Sequence, residues 1–450
     1  MRVLNAVVVT AAALCGQIMS GQTTNLTLDQ AKQVALEHNQ SITQADANVG
    51  SAQAAVTAAY GGYLPSLSAS GSWNRYATDK AASINTIPNF GTIVSPAVKS
   101  TNNQFGTGIS ASMMLFDGFN RQGQVGQATS RSVSSEQTAV RTRQSIVFQT
   151  ESAYLNVLRN DQLVKVADEN LKRDNKQLDR ITESARVGAA AKADVYRQQS
   201  VVAADEFALI QAQATFDKSK ADLVDLIGLD VGSEYTFNDP TISLEISPAQ
   251  LDSTSALYSN FRNLQDRSLA ARPDYKSAVE TLNAAQSGVT SAKSSYFPSV
   301  NASAGYSLGN SEELKSLSDS KTLNWGVRIS WTLFDGFGTN ANVQSAVANR
   351  RIAEIGLVQA ERDIYAQLKK ALLDFDAARK QYEVSQKGLT SATEDRKIAE
   401  EKYNLGAGTL LDLLTANAGL VNAQVNLVNS VYNYVTAKKN VDYTIGERAY

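Results

Sequence analysis

The sequence predicts a mainly α-helical protein with a membrane β part, built from two similar halves. Three observations predict this. The first is repetition. "LFDGF" occurs at 115–119 and again at 333–337, an offset of 218, and Gly188/Gly406, Asp194/Asp412 and Gln149/Gln367 share that offset. "YLPSLSASG" at 63–71 resembles "YFPSVNASA" at 296–304, now at an offset of 233, so one segment between the two motifs is 15 residues longer in the first half. A repeat of this length implies one fold made of two related units. The second observation is proline placement. All seven prolines lie at 65, 88, 96, 240, 248, 273 and 298, leaving 97–239 and 299–450 free for long helices. The third is four short segments of strict apolar/polar alternation, 66–74, 104–115, 299–308 and 323–333. Period two marks strands with one apolar face, and 9–12 residues suits a tilted membrane strand.

The elements follow in order. Residues 1–22 carry Arg2, an apolar run over 3–15 and then small and polar residues, the pattern of a secretory signal peptide. A buried N-terminal helix is the alternative. The single cysteine, Cys15, lies in that run behind the bulky Leu14, which excludes a lipid-anchor reading and leaves no disulfide to expect. A first helix is expected over 28–62, ending before Pro65. The strand pair 64–116 follows, with a hairpin loop at 77–102. The glycine-free stretch 131–186 repeats apolar residues every three and four positions, and 340–403 reads the same way. Gly188 and Gly406 each stand 70 residues after Gly118 and Gly336, where a long helix must turn. Such helices are roughly 100 Å long. Return helices are expected over 190–228 and 408–443, and a second pre-strand helix over 268–296. The second strand pair, 298–334, has the shorter loop, 309–322.

"LFDGF" reads as the joint where a strand leaves the sheet and a long helix begins. Asp117 and Asp335 can cap the first helical amides, and Gly118 and Gly336 can take backbone angles barred to other residues. Pro65 and Pro298 mark the opposite joint, helix into strand. Trp73, Trp325, Trp331 and Tyr306 lie on the apolar strand faces, as interfacial aromatics do. A soluble sheet packed on a helix is the alternative, disfavoured because the polar faces are Ser, Gly and Asn. Four strands cannot close a barrel, which needs about eight, so copies of the chain must share one. Two copies give a filled barrel, and three leave room for a conduit.

At formal net charge −2 there is no basic field to attract nucleic acid. The only histidine, His38, reads as a surface residue on an amphipathic helix. No metal-ligand cluster, phosphate loop or nucleophile motif stands out, so no enzyme and no cofactor is expected.

The double "LFDGF", "ARPDY" at 271–275 and the turns "VGAAAKADV" and "LGAGTLLDLL" resemble the TolC-like outer-membrane efflux and secretion channels. The resemblance covers nearly all of the chain. It implies a homotrimer with a 12-stranded β-barrel, four strands per chain, in outer-membrane lipid, continuous with a 12-helix periplasmic α-barrel. It implies a first repeat over 23–228, an equatorial segment over 229–267, a second repeat over 268–443 and a tail over 444–450. A periplasmic adaptor and an inner-membrane pump are the implied partners. Val187, Gly188, Leu405 and Gly406 would face the adaptor. Tyr403, Asp194 and Asp412 match gate positions, Asp412 as a threefold ring at the pore entrance. Gly408 and Thr415 stand where an arginine lock and a second aspartate ring can occur, which leaves an ionic lock without its residues. A type I protein-secretion duct and a periplasmic coiled-coil scaffold or adhesin are the alternatives.

Overall fold

The computed structural model describes residues 24–88, 90–239, 246–311 and 313–447. The expected signal peptide at 1–22 and residues 448–450 of the expected tail lie outside them.

The described residues begin with β1 (Thr24–Leu26), α1 (Leu28–His38) and α2 (Gln40–Gly61). The single helix expected over 28–62 is therefore divided at Asn39. Asn39 is extended (φ −67°, ψ 126°), its side-chain Nδ2 donates to the Leu226 carbonyl at 2.8 Å, and its side-chain Oδ1 accepts from the Ser41 amide at 2.9 Å. One asparagine thus ends one helix and caps the next. Next come β2 (Ser66–Lys80), β3 (Ser83–Ile87), β4 (Gly91–Ser95) and β5 (Val98–Phe116). The expected loop at 77–102 is mostly strand. β2 and β5 stay paired out to Lys80↔Val98, and β3 pairs with β4 as a separate hairpin. The alternation fades beyond Trp73 because both faces become polar, but ladder hydrogen bonds need no apolar face.

Then follow α3 (Asn120–Arg186), α4 (Lys192–Leu226), β6 (Tyr235–Phe237), α5 (Pro248–Leu257), α6 (Phe261–Ala271) and α7 (Pro273–Lys293). The helix expected over 268–296 is divided as well. Arg272 precedes a proline and is pushed to an extended conformation (ψ 122°), so Pro273 starts a new helix at its first position. The second strands are β7 (Ser299–Ser311) and β8 (Lys321–Ser330), followed by α8 (Gly338–Asn404) and α9 (Leu410–Ile445). The strand expected over 323–333 stops at Ser330. Its partner β7 begins at Ser299, opposite Ser330, so Trp331–Phe334 have no strand beside them among the described residues. α3 and α8 contain 67 residues each, about 100 Å of helix.

The described residues form two compact units, one within 24–42, 143–266 and 367–447, the other within 43–142 and 267–366. The first holds two hydrophobic clusters that echo the repeat. In one, Leu28, Ala31 and Ala35 of α1 pack against Tyr154 and Leu158 of α3 and Leu223 of α4. In the other, Leu264 of α6 packs with Leu368, Phe375 and Tyr382 of α8 and Val431 of α9. β1 and β6 pair in parallel at the edge of the first cluster, where the buried Tyr154 hydroxyl donates to the Leu26 carbonyl at 2.8 Å.

The second unit holds an antiparallel sheet in the order β2-β5-β7-β8. One face carries a hydroxyl ladder, with Ser66···Ser112 and Ser68···Ser110 both at 2.8 Å. The other carries Leu67, Trp73, Trp325, Val327 and Ile329, all exposed, Trp325 at 81%. Water-soluble sheets cover such a face; outer-membrane strands present it to lipid.

The strand–helix joints are built alike at the backbone. Pro65 and Pro298 immediately precede β2 and β7. Gly118 and Gly336 have φ of 66° and 67°, and Phe119 and Phe337, unforeseen from sequence, also have positive φ (72° and 69°). Asp117 accepts from the Arg121 amide at 3.0 Å and Asp335 from the Thr339 amide at 2.6 Å, so each carboxylate caps its helix one residue further in than the first helical amide.

Candidate functional site

The two helix-hairpin ends are the polar constellation that distinguishes this chain, and both lie in the first unit. Each long helix ends in the same backbone motif. The Ala189 amide donates to the Ser184 carbonyl at 2.8 Å and the Gly188 amide to Ala185 at 3.1 Å; the Ala407 amide donates to Lys402 at 2.9 Å and the Gly406 amide to Tyr403 at 3.1 Å. These are Schellman closures, which need a left-handed residue; Gly188 and Gly406 supply it at φ 80° and 71°. Val187 and Leu405, one position earlier, are exposed, Leu405 at 83%.

The returning helices start differently. α9 has a capping box: the Asp412 amide donates to the Thr409 hydroxyl at 3.2 Å, and the Thr409 amide donates to the Asp412 carboxylate at 2.9 Å. The Thr409 hydroxyl, which donates to the Asp412 carboxylate at 2.7 Å, then the Thr409 amide and the charge of Lys402, hold the Asp412 carboxyl below the usual carboxylate range, so it stays ionised at neutral pH. α4 has no side-chain cap at Ala191; Asp194 in its first turn pairs instead with Arg197 at 2.8 Å. A cavity of about 1020 Å³ brings the two ends together, lined among others by Asp194, Arg197, Tyr403, Gly406, Gly408 and Thr409. Burial, and then the charge of Asp194, push the Tyr403 hydroxyl up from its ordinary value. Two of the three expected gate residues therefore line one cavity, while Asp412 caps its own helix. Gly408 packs close to Lys402, and the Thr415 hydroxyl bonds the Leu411 carbonyl at 2.8 Å. The contribution of Arg197 and Thr409 was not foreseen, although the Thr-x-x-Asp spacing of a capping box was present to be read.

Further along the helices a buried polar layer ties the hairpins together. Asp174 accepts from Gln198 at 3.3 Å and from Asn417 at 3.4 Å, Asn417 accepts from Arg396 at 3.0 Å, and Arg396 pairs with Glu400 at 2.8 Å. Asp174 and Gln198 are buried. Arg180 reaches Glu400 at 3.5 Å from the other hairpin, an exposed pair that contributes little. Beside Asp174 lies Asp205, which accepts from Asn170 at 2.8 Å. Burial, and then the neighbouring Asp174 carboxyl, push the Asp205 carboxyl up to about 7. A carboxyl whose folded value exceeds its unfolded value of 3.8 favours folding fully below that value and loses the contribution as pH rises toward 7. Asp205→Asn, neutral at every pH, should flatten the fall of melting temperature between about pH 4 and 7 and melt higher than wild type at pH 8. Thermal unfolding across that range in detergent checks this; an unchanged slope would remove Asp205 from the titration.

No group of three or more His, Cys, Asp or Glu side chains is placed to hold a metal among the described residues. No helix among them is long and apolar enough to cross a membrane. His38 is exposed at the end of α1.

The fold is shared with solved channels. The Vibrio cholerae outer membrane protein VceC superposes with a TM-score of 0.77 at 21% identity, covering 93% of this chain and 96% of that one. In sequence, the Brucella suis outer membrane efflux protein BepC is 22% identical over 330 residues, 73% of this chain and 69% of its own. The Pseudomonas putida probable efflux pump outer membrane protein TtgC is 25% identical over 327 residues, 71% of this chain and 64% of its own. The chain thus spans about two thirds of the length of these relatives. The model of the outer membrane efflux protein family matches residues 31–229 and 264–447, taking in both helix hairpins, both strand pairs and both glycine turns, and the chain belongs to that family.

Proposed function

We propose that this chain is the exit duct of a tripartite efflux system. Three copies pool their strands into a twelve-stranded barrel continuous with a twelve-helix periplasmic tube. Substrates delivered by an inner-membrane pump through a periplasmic adaptor pass through it passively. The observation that carries this reading is the sheet β2-β5-β7-β8, whose two outer strands lack a further neighbour among the described residues and whose apolar face is exposed. In a bilayer each unsatisfied edge group costs several kcal/mol, and four strands are too few to close. Identical copies joined edge to edge remove the edges, and three of them leave a lumen. In this reading Val187, Gly188, Leu405 and Gly406 form the adaptor-facing end, and the repeats at 23–228 and 268–443 flank an equatorial segment at 229–267. The duct supplies no chemistry of its own, so the pump sets the substrate.

The test is the mass of the detergent-extracted protein with its conductance in planar bilayers. A trimer with steady conductance is expected; a monodisperse monomer with full strand content overturns the reading.

Asp412 acts as the cation filter in the same proposal. Three ionised carboxylates about one axis attract multivalent cations. Asp412→Asn keeps an oxygen acceptor for Thr409 and removes the charge. It should weaken cation selectivity and divalent block from the periplasmic side while trimer yield stays unchanged. Bilayer recordings with cation added to each side in turn check this; unchanged block would restrict Asp412 to its capping role.

A further inference from the structure

The strands of the four-stranded sheet are basic in a chain of formal net charge −2. Within β2, β5, β7 and β8 the cationic side chains are Arg75, Lys80, Lys99, Lys321 and Arg328, and the one carboxylate is Asp79. Period two sorts these charges onto two faces. Arg75 and Asp79 alternate in step with Leu67 and Trp73 on the apolar side, where Lys99 lies opposite Asp79 and pairs with it at 3.0 Å. Lys321 shares that side with Leu323 and Trp325.

Arg328 and Lys80 lie on the other face, the one that carries the hydroxyl ladder. Ser112, which bonds Ser66, lies opposite Ser303, and Ser303 lies opposite Gly326. Two residues on, Met114 lies opposite Asn301 and Asn301 opposite Arg328. That row precedes the β-bulge between Met114 and Phe116, so the faces have not yet exchanged at Arg328. Pairing of β2 with β5 runs from Ser66 to Lys80 without a shift, and Lys80 falls in step with Ser66. Their rows cross β5 at Met114 and Val98, about 50 Å apart along the strand. Both cations are exposed, and among the described residues neither has an ion-pair partner and no carboxylate shares their face.

The repeat shows that the fold does not require this charge. At the 218-residue offset the counterpart of Arg328 is Ser110, a rung of the hydroxyl ladder. Resting on the exit-duct reading, we propose that Arg328 is an oxyanion site in the lumen of the barrel. Its guanidinium, beside the Asn301 amide in each copy, takes the phosphate, sulfate or carboxylate group of an anion in transit. A guanidinium stays charged and offers paired donors that match two oxygens of such a group. With neutral hydroxyls around it and lipid behind the sheet, a field of one sign is focused into the lumen, and Lys80 extends it along β2. Rings of such cations favour anions in pores.

Planar-bilayer recordings with inorganic tripolyphosphate added to the external side test the site. Wild type should be blocked at low ionic strength, and Arg328→Lys should keep most of the block. Arg328→Gln, and Arg328→Ser, which copies the Ser110 counterpart, should need about tenfold more tripolyphosphate, the effect of losing a hydrogen bond to a charged group. In an Asp412→Asn background, reversal potentials should show an anion preference that Arg328→Gln removes. Arg75→Gln, the same charge change on the apolar face, should leave block and selectivity unchanged. The native mass of each variant is measured alongside. Trimeric, conducting protein whose block and selectivity ignore the Arg328 variants, or respond equally to Arg75→Gln as a lipid-headgroup effect would, overturns the lumen site and leaves the exit duct standing. Monomeric wild-type protein without conductance overturns both.

Discussion

Gly406→Pro, and likewise Gly188→Pro, is expected to abolish export while leaving trimeric protein in the outer membrane. Both glycines sit at φ above 70°, and each amide donates to the helix it terminates, to Tyr403 and Ala185 respectively. Proline fixes φ near −65° and has no amide proton, so it is incompatible on both counts, at a cost of about 3 kcal/mol or more. The strain falls on the turn that holds Val187 or Leu405 outward. It is separated from the strand joints by 67 helical residues, each bonded locally to its own helix. Drug-susceptibility assays in cells relying on the variant read export, and heat-modifiable migration of outer-membrane extracts reads assembly. Loss of the trimer itself would show that the turns are needed for folding rather than for the adaptor encounter.

Asp274→Ala should destabilise the protein by about 2 kcal/mol, less than a fully buried ion pair contributes, because it leaves the buried Arg272 charge without this partner while the Asp274 side chain itself is 38% exposed and screened by solvent. Arg272, one of the most deeply buried side chains, donates to Asp274 through Nε at 2.9 Å and through Nη2 at 2.5 Å. Its extended backbone before Pro273 aims it at the carboxylate two residues on. Arg141 of α3 adds a second cation at 3.9 Å. Burial raises the proton affinity of Asp274, but the hydrogen bond and charge of Arg272, then the charge of Arg141, outweigh it and hold the carboxyl below its ordinary 3.8. The contribution is therefore complete above about pH 4 and is lost as pH falls through the depressed folded value. Thermal unfolding in detergent should show a large drop in melting temperature for Asp274→Ala at pH 7 and convergence with wild type in acid. A variant that melts with wild type at pH 7 would show that Arg272 is held by its other contacts alone.

Much was legible in the sequence because it is local. Helices of 67 residues follow from 3.6-residue periodicity without proline, and the left-handed turns at Gly188 and Gly406 follow from what glycine alone tolerates. Strand faces follow from period two, and the joints from an Asp-Gly pair placed between a strand and a helix. The repeat doubled each of these signals. Asn39 was missed because asparagine among polar residues looks like any helical surface position, and its capping role depends on a carbonyl of α4.

The tertiary structure decided what depends on distant partners. Phe119 occupies a left-handed conformation that aromatic residues avoid, and its ring contact with Phe297, far along the chain, accompanies that cost. Asp174 and Asp205 look like ordinary solvated charges on two helices; only the packing of α3, α4 and α9 buries them side by side and lifts the Asp205 carboxyl toward neutrality. Asp412 could be placed in a first helical turn from sequence, but its hydrogen bonds with Thr409 are a matter of geometry. The sequence by itself determined which segments are helix, strand and turn and that they occur twice, because those choices rest on backbone sterics and side-chain periodicity within a few residues. Which carboxylates share a buried site, and which of two equivalent joints is filled within the chain, only the tertiary structure decided, because burial and close contact arise between different elements brought together by the fold, α3 against α4 and α9 at Asp174 and the joint at Phe119 against Phe297.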